Sequence, residues 1–260
     1  MDAVTRLQGR ISIAVLDDAV RRRGMPKTAV DAFKTFNEQL DKSVGATLHT
    51  VWEKTAQSEE RKLATRLGLT ARFDMVRPEA IEAARLRSSF LIREITSETR
   101  SSVQQMIASA IRDGTAPREA AKQIRQVVGL TSRQAGAVIN YRNSLREAGA
   151  TKAAADKAAF QYARRSLNNR ALTIARTETI RSSVDGQLEA WKGAQDKGLI
   201  AETTEKEWLT ADDERRCPQC EGLQGASVLI DDVFEGSLAG PPAHPRCRCT
   251  LVLTHTTRRR

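Results

Sequence analysis

Five side chains in the last third of the chain have the types and spacing of soft-metal ligands. Cys217-Pro218-Gln219-Cys220 is followed by His244-Pro245-Arg246-Cys247-Arg248-Cys249, and the two stretches hold all 4 cysteines of the 260-residue sequence. Both share one layout: a ligand-type residue, a proline, one further residue, then cysteine. A turn of that kind sets two donors on one side of a backbone corner, and two such corners can close a tetrahedron around zinc. Cys217, Cys220 and His244 enter any such set. The fourth ligand is Cys247 or Cys249. Cys247 is favoured because His244 and Cys247 repeat the spacing of Cys217 and Cys220, while Cys249 stands at the start of a strand and could swing back. Four protein ligands make a structural site, with no open position for an activated water.

Other chemistries compete for the same residues. A redox C-x-x-C needs a strand-to-helix junction, and none surrounds Cys217. Reduced, buried cysteines without a metal are the bland alternative. In a nuclease, all four cysteines would hold zinc and His244 would be freed to activate water, an arrangement the spacing permits. Elsewhere, Trp191 and Trp208 read as core residues, His49 as a polar helix residue, and His255 as a spare ligand in the tail. Arg176 and Glu178 are two residues apart and cannot share a helical face. They can still pair with different partners, for example Arg176 with Asp213 and Glu178 with Arg215 or Arg248, which would tie the helix to the metal lobe. A catalytic role for Glu178 lacks a second carboxylate or histidine beside it in sequence.

The elements that must position these residues are mostly helical. Residues 1–166 read as helix almost throughout. Val30, Phe33, Leu40, Val44, Leu48 and Val51 form an amphipathic stripe between Pro26 and Gly68. Pro78 opens a second long helix with Ile81, Leu91, Ile95, Val103, Met106 and Ile107 inward, stopping at Asp113-Gly114. Thr115-Ala116-Pro117-Arg118-Glu119 looks like the N-terminal cap of one further helix, and Thr131 caps another that runs through Val138, Tyr141 and Leu145. An Ala-rich helix with Phe160 and Tyr162 follows, then a separate one over about 168–194 with Leu172, Ile174, Ile180, Val184, Leu188 and Trp191 inward. After Gly198, Glu207–Leu209, Ser227–Ile230 and Thr250–Leu253 read as short strands between loops rich in Asp, Gly and Pro. The expected fold is therefore mostly α: a basic helical region (1–166), a small zinc-stapled α+β module (167–254), and a basic disordered tail (255–260).

Charge divides the chain in the same way. Residues 1–164 carry 28 Lys and Arg against 18 Asp and Glu, whereas residues 165–260 carry 14 of each. A basic excess of this kind raises affinity for phosphate backbones or acidic protein surfaces. The chain has 2 Tyr and few other aromatics, so base stacking is not expected as the mode. No apolar run is long enough to span a membrane. Met1-Asp2-Ala3-Val4-Thr5 lacks the layout of an export signal, so reduced thiols are expected.

An ordered set of motifs resembles one family. Ile174-Ala175-Arg176-Thr177-Glu178-Thr179, Trp208, Asp213-Glu214-Arg215-Arg216-Cys217-Pro218-Gln219-Cys220, Gly225, Phe234 and Pro241-Pro242-Ala243-His244-Pro245-Arg246-Cys247-Arg248-Cys249 are similar to the phage Mu protein F-like minor head, or head morphogenesis, proteins of tailed phages. The resemblance covers about 168–253, and Leu130–Gln134 with Asn140-Tyr141-Arg142 looks like the lead-in of such proteins. It implies a non-enzymatic virion component, made in the host cytoplasm and built into the capsid interior at the portal vertex. Its implied partners are the portal protein, capsid or scaffold proteins and packaged double-stranded DNA, with no membrane involved. Besides the nuclease, an ADP-ribosyl-transferring effector is the competing enzyme class, because modules resembling this one occur fused to toxin domains. The chain runs only a few residues past the module, so no appended toxin domain is expected.

Overall fold

Apolar residues at three- and four-residue steps fold most of the chain into helices. The computed structural model describes residues 2–68, 78–112 and 115–254. The helices are α1 (Asp2–Arg10), α2 (Ile13–Arg21), α3 (Lys27–Leu40), α4 (Ala46–Arg66), α5 (Pro78–Arg112), α6 (Pro117–Val127), α7 (Ser132–Glu147) and α8 (Lys152–Asp196). The helix expected between Pro26 and Gly68 is continuous except for a π-helical turn at Asp41–Gly45, which divides α3 from α4. Thr131 caps α7 through a reciprocal box: Gln134 N–H donates to Thr131 Oγ1 at 3.3 Å, and Thr131 N–H donates to Gln134 Oε1 at 3.2 Å. The N-cap of α6 is Ala116, and Pro117 starts the helix where a missing N–H costs little. The expected stop at Asp113-Gly114, His255 and the tail 255–260 lie outside the described residues, as does the side chain of Leu91.

The two helices expected on either side of residue 167 are one. Ser166-Leu167-Asn168-Asn169 contains no glycine or proline to end the helix, and Leu167 is buried, so α8 continues for 45 residues. The expected boundary at 166/167 falls inside it. Leu172, expected in the core, is 54% exposed, whereas Val184, Leu188 and Trp191 are buried. Tyr141, Phe160 and Tyr162 are exposed as well.

The chain forms two units. One comprises Met1–Ser43 with Ser89–Leu172, and the other Val44–Ser88 with Thr173–Arg260. The first is all helix. Leu7, Ile11, Leu16, Phe33, Phe36, Val103, Ile107 and Ile124 pack in one cluster, and Leu130, Val138, Ala159, Ala163 and Leu167 in another. At Gly129 (φ +97°) an added Cβ would meet Val4 Cγ1 at 2.8 Å, so both backbone angle and space demand glycine.

The second unit builds a small sheet on α4 and the end of α8. Strands β1 (Glu205–Leu209), β2 (Ser227–Leu229) and β3 (Thr250–Thr254) lie in the order β2-β1-β3, antiparallel throughout, close to the three strands expected. Alternation along β1 turns Lys206 and Trp208 inward, and β3 contributes Leu251 and Leu253. Leu63, Val184, Leu188 and Trp191 complete this core, and three cysteines join it: Cys220, Cys247 and Cys249. A short helix, α9 (Pro218–Leu223), carries Cys220.

Candidate metal centre

Two corners meet at the centre of this second core. Cys217 is the N-cap of α9, with Pro218 in the first turn, and the N–H of Cys220 donates to Cys217 Sγ at 3.4 Å. The other corner closes when Cys247 N–H donates to His244 O at 3.1 Å. His244 Nε2 lies 3.2 Å from Cys217 Sγ and 3.0 Å from Cys220 Sγ. Cys220 Sγ lies 3.9 Å from Cys247 Sγ. The donors fall into two triads that share Cys220: Cys217, Cys220 and His244, and Cys220, Cys247 and Cys249, with donor atoms within 4.8 Å of one another in each.

The donor set fits a soft cation. His244 Nδ1 stands 2.9 Å from Pro245 O. A carbonyl only accepts, so the proton of a neutral imidazole belongs on Nδ1, and the lone pair of Nε2 faces the two thiols. That tautomer, held by a backbone carbonyl, is the form in which histidine ligates metals. The Cys220 N–H moves the Cys217 thiol down, whereas burial pushes Cys220 and Cys249 up, with neighbouring thiols adding to the effect at Cys220. Uncompensated thiolates would repel at this spacing, and a bound cation removes that penalty. The buried indole N–H of Trp208 makes no hydrogen bond among the described residues, and its nearness lowers the Cys249 thiol against the upward push of burial. The cluster can therefore hold a metal ion.

The loops carrying the donors are anchored twice. Arg248 grips both carboxylate oxygens of Asp213, at 2.6 Å to Oδ1, which ties the loop before Cys217 to the segment between Cys247 and Cys249. With Arg215 adding to it, this grip holds the Asp213 carboxyl well below its usual range. On α8, Thr177 Oγ1 accepts the N–H of Arg246 at 3.0 Å, and Thr173 Oγ1 accepts Arg246 Nε at 2.7 Å.

These contacts correct the expected ion pairs. Asp213 pairs with Arg248 and Arg215, while Arg176 is exposed and makes no ion pair among the described residues. The partner described for Glu178 is Arg181, on its own helix. Arg181 donates to both Glu178 oxygens at 2.9 Å, because a three-residue step places them on one helical face and the two-residue step from Arg176 does not. Trp208 and Trp191 are buried core residues. His49 lies on α4 beside Glu53, with Nδ1 to Oε2 at 3.6 Å.

Sequence reasoning overlooked three features of this unit. The Thr173/Thr177 pair was visible as two hydroxyls four residues apart on one helical face. Buried Lys206 and buried Glu59 were not, since a lone charged residue in a strand or helix reads as a solvated face. Glu59 accepts from Trp191 Nε1 at 3.3 Å and from Lys62 Nζ at 2.6 Å.

Fold and cluster together define a mostly helical protein with a three-stranded module arranged around a Cys/His site able to take a metal. The model of the Phage Mu protein F like protein family matches residues 101–252, more than half of the chain. The protein belongs to that family, the head morphogenesis class anticipated from its motifs, and the match begins well upstream of residue 168. Searches of curated proteins and of solved structures return no match. Among the described residues, no helix is long and apolar enough to cross a membrane.

Proposed function

We propose that this chain is a non-enzymatic minor head protein, built into the capsid interior at the portal vertex and stapled by one structural zinc ion. Cys217, Cys220, His244 and Cys247 hold the ion. Cys249 is the reserve thiol beside them, with Trp208 N–H toward it. Bound zinc supplies a fixed cross-link between the two corners, a contribution of about 10 kcal/mol in small modules of this kind. Asp213 and Arg248 brace the two loops, and Arg176 and Glu178 belong to the same family motif on α8. The basic region 1–166 docks on the portal protein and on neighbouring capsid or scaffold proteins, and its surplus of cations also suits packaged double-stranded DNA.

The observation that carries this reading is the arrangement of all four cysteines and His244 in two donor triads that share Cys220, within the family-matched segment. The orientation of His244 Nε2 toward two thiols supports a ligand and speaks against a water-activating base. The test has two arms. Elemental analysis of purified protein should give about one zinc per chain, and a density map of assembled heads should place the chain at the portal vertex. Metal-free protein with a fully ordered second unit, or a chain distributed over the outer shell, would overturn it. Metal-dependent DNA cleavage abolished by His244→Ala would replace it with a nuclease.

A further inference from the structure

The corner that carries His244 and Cys247 turns on Arg246, which sits in the left-handed region at φ +63°. A residue with a Cβ avoids that region unless its surroundings hold it there. What holds it is on α8. Thr177 is 7% exposed, and its hydroxyl is used at both ends. It donates to Thr173 O at 2.7 Å and accepts the N–H of Arg246 at 3.0 Å. The Arg246 side chain folds back onto the same helical face, where Nε reaches Thr173 Oγ1 at 2.7 Å.

We infer that Thr177 is a positioning residue for the metal centre: its hydroxyl fixes the strained Arg246 corner, which carries His244 of one donor triad and Cys247 of the other. The inference rests on the metal reading above and names the part of α8 on which that site depends. Without the acceptor, the Arg246 N–H loses its bond to Thr177, and the restraint that holds φ in the left-handed region weakens. His244 and Cys247 stand on either side of that bond, so their donor atoms separate as it relaxes. Cys217 and Cys220, on the other corner, keep their geometry. The consequence is a selective loss of affinity with the apolar core of the unit intact.

The experiment compares full-length wild type with Thr177→Val, which keeps the shape and removes the acceptor, and Thr177→Ser, which keeps the acceptor. Zinc affinity is measured by chelator competition, and ligand geometry from the absorption of the cobalt-substituted protein. Thr177→Val should weaken zinc binding by about tenfold or more and reduce the tetrahedral cobalt bands, while Thr177→Ser stays within about twofold of wild type. In metal-free protein, amide exchange at Arg246 should be slow in wild type and Thr177→Ser and fast in Thr177→Val. Equal affinity in wild type and Thr177→Val would overturn the inference, as would a Ser variant as weak as the Val variant. A wild-type protein that takes up neither ion defeats the metal reading itself, and this one with it. Wild-type uptake with Thr177→Val at parity defeats this one alone.

Discussion

The two units solve the same packing problem with different material. The helical unit closes its core with Leu, Ile, Val, Phe and Ala from six helices and α8, so burial of apolar area accounts for its order. The second unit has three strands of five, three and five residues, and Cys220, Cys247 and Cys249 take core positions that Leu or Val would fill elsewhere. So short a sheet is marginal alone, and sulfur in its centre contributes little unless something draws the thiolates together. The difference teaches where each unit is vulnerable: the first to lost volume, the second to a lost ligand.

The sharpest way to break that comparison is Cys220→Ser. Cys220 belongs to both donor triads, so neither triad survives its loss. The variant should release its metal and lose a large part of the roughly 10 kcal/mol attributed to structural zinc. Chelation of the wild-type protein should do the same. Amide exchange read separately at β1 and β3 and at α6 and α7 checks it. The strands should lose protection while the helices keep theirs, and equal loss in both would dissolve the distinction.

The converse change belongs in the helical unit. Ile124 is 1% exposed between helices, so Ile124→Ala should cost that unit about 2–5 kcal/mol through lost burial and a residual cavity. Zinc content should stay at the wild-type value. A drop in metal content on Ile124→Ala would show that the two units do not fail independently.

Legibility in the sequence followed the same divide. Helices were readable because the apolar period and the Thr131 cap are local signals, and the strands because β-branched and aromatic residues cluster between turn-formers. The five donors stood out through proline-bearing turns of one spacing. The partners of Asp213 and Glu178 did not, since a pair such as Asp213 with Arg248 spans 35 residues and depends on how two loops meet. Nor did the single α8: an Asn168-Asn169 pair lowers helix propensity, but burial of Leu167 outweighs it. Membership of residues 44–88 in the second unit also escaped, because an amphipathic stripe says which face is buried and not against what.

Glycine substitutions sharpen the comparison on a smaller scale, because one change should carry opposite signs. In an open helix interior, Gly→Ala stabilises by up to about 1 kcal/mol. Gly136 in α7 has nothing within 4 Å of an added Cβ, so Gly136→Ala should raise the stability of the helical unit by that amount. At Gly186 in α8 the same Cβ would stand 2.4 Å from Trp52 O, a backbone atom that cannot step aside. Gly186→Ala should therefore cost the second unit about 1–3 kcal/mol net, as overpacking does. Denaturant midpoints with unit-resolved exchange decide the signs, and a stabilising Gly186→Ala would mean that α4 and α8 approach less closely than described.

The last change concerns charge within the second core, and its pH dependence sets it apart from the others. Lys206 is 1% exposed, its Nζ donates to Ile230 O at 2.8 Å and Asp232 O at 2.7 Å, and it lies 5.5 Å from the Phe234 ring centroid. Desolvation by burial, with repulsion from Lys192, lowers its pKa from 10.5 to about 8, against the pull of Asp231 and Asp232. The sign follows from which state holds the proton. Between pH 8 and 10.5 the unfolded chain keeps Lys206 protonated and the folded chain releases it. Stability from this group therefore rises with pH across that window, and below it the full cost of burying the charge is present. Lys206→Met removes the titration while filling similar space. Wild-type stability minus that of the variant should climb between pH 8 and 10, and a flat difference would mean that the two carbonyls and the ring already repay the lost hydration. The helical unit offers no counterpart among its described residues: its buried core groups are apolar apart from hydroxyls, so its exchange should show no slope in the same window.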